Sequence, residues 1–124
     1  MDDFFDDSHP VFGGFEPDPF DPDQVIDGDP EAFDLSLTES EGGTEVAGFW
    51  MCTPGSFTDT EQEESFVVIR GQAEVEMADG TRIALGPGDT HSFRAGEKTI
   101  WKITQPLVKS YWARPSHPGA KSNE

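Results

Sequence analysis

Residues 72–85 read Gln72-Ala73-Glu74-Val75-Glu76-Met77-Ala78-Asp79-Gly80-Thr81-Arg82-Ile83-Ala84-Leu85, and their pairing decides the fold. Apolar and polar side chains alternate on both sides of Asp79-Gly80, the pattern of two half-buried strands joined by a turn. A two-residue turn at Asp79-Gly80 would set Met77 opposite Arg82 and Val75 opposite Ala84, leaving Ile83 on the face of Glu76. A three-residue loop, Ala78-Asp79-Gly80, instead pairs Met77 with Thr81, Val75 with Ile83 and Ala73 with Leu85. All the apolar side chains then share one face, and Glu76 meets Arg82 on the other. A slip of one residue inverts every side chain, so the second register is expected, with Gly80 in the left-handed position of a bulged turn.

The same period continues outward in both directions. Residues 44–53 read as a strand closed by Pro54-Gly55, and 65–70 as another ended by Gly71. After the turn Gly86-Pro87-Gly88 comes a strand over 89–93, then Ala95-Gly96. Residues 99–105 and 108–112 read as two last strands with Pro106 between them. No stretch of ten or more residues joins helical periodicity to caps. Short strands broken by regular turns predict an all-β sandwich or barrel, which also hides strand edges.

The chain has 124 residues, enough for one domain. Its formal net charge is −17, which opposes binding to nucleic acid phosphates and to anionic lipid surfaces. The charge is uneven: residues 1–69 hold 19 acidic side chains and no Lys or Arg, whereas residues 70–124 hold 8 basic and 6 acidic. Spread acids would mark a high-salt surface; this distribution predicts an acidic arm on a nearly neutral domain. The arm is placed at residues 1–34, the domain at 35–112 and a loose tail at 113–124. Six of the ten Phe (Phe4, Phe5, Phe12, Phe15, Phe20 and Phe33) lie in the arm. Three readings stay open for these rings: packing on the arm's own domain or on a dimer mate, docking on another protein, or simple disorder of the arm. The acidic start lacks a secretory pattern and no run is long enough to span a membrane, so a cytoplasmic protein is expected. The single cysteine, Cys52, supplies neither a disulfide nor a thiolate cluster and is expected to be a buried apolar residue.

An ordered series of motifs then points to a family. It runs Gly48-Phe49-Trp50-Met51-Cys52-Thr53-Pro54-Gly55-Ser56-Phe57, Glu64-Ser65-Phe66-Val67-Val68-Ile69-Arg70-Gly71, Asp79-Gly80-Thr81, Leu85-Gly86-Pro87-Gly88-Asp89, Ala95-Gly96, Trp101 and Lys109. Residues 25–112 resemble the cupin superfamily, and in particular the small cupin domains grouped with (S)-ureidoglycine aminohydrolase. The resemblance implies a jelly-roll-like antiparallel β-barrel of about six to eight strands with a pocket at one mouth, and a homodimer. It also implies chemistry at a divalent metal held by three histidines and a glutamate. Glu64, separated from Gly71 by six residues, matches that glutamate. The paired histidine slots fall on Thr58 and Thr60, or on Phe57 and Asp59; in the second motif Arg94 stands at the usual Pro and Thr99 at the last histidine. Threonine is a poor ligand for transition metals, so a metal of that type is disfavoured and no cofactor is expected.

Glu64 is the leading candidate for chemistry. Alternation puts it on one face with Phe66 and Val68, and a carboxylate among apolar groups is suited to acid or base work. The competing reading is a mouth carboxylate paired with Arg70 or Arg94. His91 is a second acid-base candidate, on the face of Asp89 and Phe93. Asp59, Glu61 and Glu63 crowd one loop, as a solvated acidic surface or a hard-cation site. Trp50, Cys52, Phe66, Val68, Thr99 and Trp101 are expected to wall a ligand pocket, with Arg94 to meet an anionic ligand. Three functions remain open on these residues: a barrel that binds a small polar molecule without the usual metal, an enzyme of the isomerase, cyclase or aminohydrolase kind acting through Glu64, and an interaction module acting through the arm.

Overall fold

A computed structural model describes residues 14–115. The strands are β1 (Glu16–Pro17), β2 (Val25–Gly28), β3 (Ala32–Glu39), β4 (Val46–Cys52), β5 (Gly55–Thr60), β6 (Glu63–Met77), β7 (Arg82–Leu85), β8 (Thr90–Phe93) and β9 (Lys98–Arg114). They form a single antiparallel sheet curled into a half-barrel, as the alternating pattern predicts. No helix among the described residues is long and apolar enough to cross a membrane.

β9 is the spine. Its C-terminal half pairs with β4, from Val46↔Ala113 to Cys52↔Leu107. Its N-terminal half pairs with β5, from Gly55↔Ile103 to Thr60↔Lys98. β6 runs along the opposite side of β9 for its whole length and carries β8 and β7 on its far edge. β3 extends the sheet from β4, β1 from β3, and β2 from β5.

The residues expected to end strands at Gly71 and Pro106 bend them instead. β6 and β9 each continue through the break, with register slips at Val68/Arg70, Arg70/Gln72 and Gln72/Ala73. At this corner Gly71 has φ +93°, and a Cβ there would stand 2.0 Å from the Pro106 carbonyl oxygen. Only glycine permits both that backbone angle and that approach. Proline is tolerated opposite because the ladder is already interrupted.

The hairpin adopts the three-residue register. Ala73 faces Leu85, Val75 faces Ile83 and Glu76 faces Arg82. The Met77 N–H donates to the Thr81 carbonyl at 2.8 Å, and Gly80 has φ +90°. Four strands, β1, β2, β3 and β5, escaped the sequence reading. β5 has one buried side chain, Phe57, among polar neighbours, so its apolar signal is too thin to stand out. β3 begins at Ala32 and so crosses the boundary placed at residue 34. Residues 14–34 contribute β1, a 3-10 turn at Pro22–Gln24, β2 and the start of β3, with the Phe20 ring 4.3 Å from that of Phe57. Phe4, Phe5, Phe12, His9 and the tail beyond residue 115 lie outside the described residues.

The concave face holds the core: Trp50, Phe57, Phe66, Val75, Leu85, Phe93, Trp101 and Ile103. Phe57 stacks on Trp101 with a 5° interplanar angle, and Phe66, Phe93 and Trp50 surround the same indole.

Candidate functional site

Alternation along β9 turns Thr99, Trp101, Ile103, Leu107, Lys109, Tyr111 and Ala113 into the core. One of these is a lysine. Its register sets Lys109 between Trp50 on β4 and Val68 on β6. The ammonium lies 4.6–5.1 Å from the ring centres of Phe66, Trp50 and Trp101, a distance at which a desolvated cation is attracted to aromatic faces. Its Nζ stands 2.6 Å from Glu64 Oε2, with both side chains buried. Glu64 Oε2 accepts no other hydrogen bond among the described residues.

Two further acids continue this cluster outward. Glu61, in the turn between β5 and β6, is 5% exposed. Its Oε2 accepts hydrogen bonds from Thr99 Oγ1 at 2.7 Å and Trp101 Nε1 at 3.0 Å. Burial pushes the Glu61 carboxyl above its ordinary range, against the pull of Lys109. Asp59, on β5, is half-buried. Loss of water and the neighbouring Glu61 raise its carboxyl to about 8, although Lys109 and the Thr60 N–H oppose the shift. Burial alone would lower the pKa of Lys109; Glu64, followed by Glu61, outweighs that and raises it. The three acids therefore share one internal cation.

Asp59 and Thr99 reach the surface in a cleft of about 810 Å³, whose walls also carry Gln24, Thr58, Glu76 and Lys98. That volume suits a small ligand. Lys98 Nζ donates to Thr60 Oγ1 at 2.8 Å on the cleft wall.

The sequence-derived candidates divide into two groups. Trp50, Cys52, Phe66, Val68, Thr99 and Trp101 are brought together on the concave face with Glu64. All but Thr99 pack as core around Lys109 rather than lining the cleft. The Cys52 thiol donates to the Thr53 carbonyl at 3.3 Å, and burial pushes it up to about 12, so it stays protonated. His91 and Arg94 do not line the cleft: with Ile83 and Lys98 they line a neighbouring groove of about 440 Å³, and Lys98 borders both. His91 sits 4.8 Å from the Phe93 ring. The partner of Glu64 is neither Arg70 nor Arg94 but Lys109, because β9 folds back beside β6 and presents an inward lysine. Its sequence signal was the shared face of Lys109 and Tyr111 in 108–112; a charged residue there contradicts the ordinary expectation for a core strand.

The model of the EutQ-like cupin domain matches residues 39–111. The chain belongs to this family. Among solved structures, this cupin is similar to the EutQ protein of Clostridium difficile, at 18% identity and a TM-score of 0.62, over 72% of this chain and 66% of that one. A putative ethanolamine utilization protein Q from Salmonella typhimurium aligns at 22% identity, TM-score 0.57, over 71% of each chain. The ectoine synthase of P. lautus aligns at 18% identity, TM-score 0.61, over 77% of this chain and 71% of that one. The cupin thus spans about two thirds of the Clostridium protein, and at these identities the likeness is one of fold. No curated protein matches the chain.

A cupin metal does not fit these residues. Thr58 and Thr60 are exposed, Phe57 belongs to the core, and Thr99 is committed to Glu61. Among the described residues no three His, Cys, Asp or Glu side chains are grouped to hold a metal ion. The glutamate that matches the metal-binding one faces an ammonium.

Proposed function

We propose that this cupin binds a small polar molecule in the cleft at the mouth of its half-barrel, without a metal of the usual three-histidine type. One observation carries the reading: Asp59 lines the cleft, half-buried, with its carboxyl raised to about 8. A carboxyl that keeps its proton near neutrality can donate a hydrogen bond as well as accept one. Lys98 supplies a cation on the wall, and Gln24 and Thr58 supply neutral polar groups. These groups favour a ligand with a carbonyl or carboxylate toward Lys98 and an acceptor toward Asp59.

A catalytic form of the same reading is favoured by the same acid. A group raised to about 8 suits proton transfer in an isomerisation, cyclisation or aminohydrolase-like step. The role passes from Glu64 to Asp59, since Glu64 is tied to Lys109. The likeness of the motifs to the (S)-ureidoglycine aminohydrolase group, and pairing of two copies into a homodimer, belong to this proposal too.

A metabolite screen by Trp fluorescence and calorimetry tests it, because Trp101 lies directly behind Thr99 and Glu61. Expected are saturable binding of a small polar compound and at least a tenfold weaker affinity in Asp59→Asn. Binding that Asp59→Asn and Lys98→Ala leave unchanged would remove the cleft from consideration.

A further inference from the structure

We propose that the Lys109 ammonium is the resident cation of this barrel, fixed beside Glu64 in the place that a divalent metal would need. The glutamate that the cupin motifs assign to a metal is Glu64, and its Oε2 is 2.6 Å from Lys109 Nζ. The ammonium also lies over the faces of Trp50, Phe66 and Trp101. Aromatic faces hold a monovalent organic cation well, yet offer no lone pair to a metal. An ammonium and a dication cannot share so confined a volume, because repulsion is strong where water is excluded. The other acids of the cluster, Glu61 and Asp59, also interact with Lys109.

The arrangement differs from a metal centre in one functional respect. A metal exchanges with the medium and accepts ligand atoms directly. Lys109 does neither: it lies behind the aromatic wall, and acts by fixing Glu64 and by setting the field felt by Glu61 and Asp59 at the cleft. Lys109 is therefore a positioning residue, coupled covalently to the fold.

The test uses the full chain. Protein purified from metal-replete medium is expected to contain far less than one transition metal per chain by elemental analysis. Zn²⁺, Mn²⁺, Fe²⁺ and Ni²⁺ are expected to leave its melting temperature unchanged. Lys109→Met is expected to lower that temperature sharply and to shift the emission of the buried tryptophans. The double variant Glu64→Gln/Lys109→Met, which removes both charges, is expected to recover most of the loss. It keeps the test decisive if the single variant fails to fold. A near-stoichiometric metal in the wild type that Glu64→Gln abolishes would overturn the inference. So would a Lys109→Met protein as stable as the wild type, or a double variant no more stable than the single one. None of these outcomes depends on whether a ligand is found for the cleft.

Discussion

Asp59 shows how one residue's surroundings turn an ordinary surface acid into a titrating device. Its carboxyl has an ordinary value of 3.8 and is raised to about 8 in the fold, by loss of water first and by Glu61 second. Between those two values the native protein keeps a proton that the unfolded chain has released. Stability therefore falls as pH rises through that window and levels off above it. Asp59→Asn removes this contribution. The variant is expected to melt at a higher temperature than the wild type at pH 9, with the advantage shrinking toward pH 4; denaturation across a pH series checks it. Glu61, also shifted upward, leaves a residual slope. The Glu64–Lys109 pair is the opposite case, with two buried charges that satisfy one another. Breaking such a pair from one side strands the other charge and costs about 3–5 kcal/mol.

At the level of elements, the sheet's curvature depends on a single corner. Gly71 combines φ +93° with a backbone approach that leaves 2.0 Å for a Cβ before the Pro106 oxygen. Gly71→Ala is expected to destabilise by about 3 kcal/mol or more, through strain and a clash together, as read from urea denaturation. The hairpin gives a contrasting prediction. Arg82 and Glu76 are 3.8 Å apart and largely exposed. Arg82→Ala is expected to cost no more than about 0.5 kcal/mol, since the register rests on buried Ala73, Val75 and Leu85 rather than on the ion pair. That hairpin was legible because its signals are local: strict alternation, a fixed turn and one register that buries every apolar side chain. The corner was half legible. Gly71 and Pro106 announce an interruption, but whether two strands stop or bend depends on what lies across from them, and each lies across from the other.

For the whole molecule the dominant quantity is charge. With a net charge of −17, the folded chain crowds like charges that the unfolded chain spreads apart. β3 and the elements before it bring part of this acid into the sheet, so the repulsion is not confined to a tail. Raising NaCl from about 0.01 M to about 0.5 M shortens the screening length from about 30 Å to a few Å. The melting temperature is expected to rise by several degrees over that range, and a fall or a flat response would contradict the electrostatic account. The internal acid cluster shows the same imbalance: Asp59, Glu61 and Glu64 have one buried cation, Lys109, among them.

The sequence by itself determined the strand period, the hairpin register, the buried face of Glu64, Phe66 and Val68, and the unsuitability of Thr58, Thr60 and Thr99 as metal ligands. Each follows from near neighbours in the chain or from side-chain chemistry. Only the tertiary structure decided what Glu64 faces, because Lys109 lies forty-five positions away and meets it solely through the pairing of β9 with β6. The same holds for Asp59 and Glu61: their composition marks them as solvated acids, and only closure of the sheet removes the water that would keep them so.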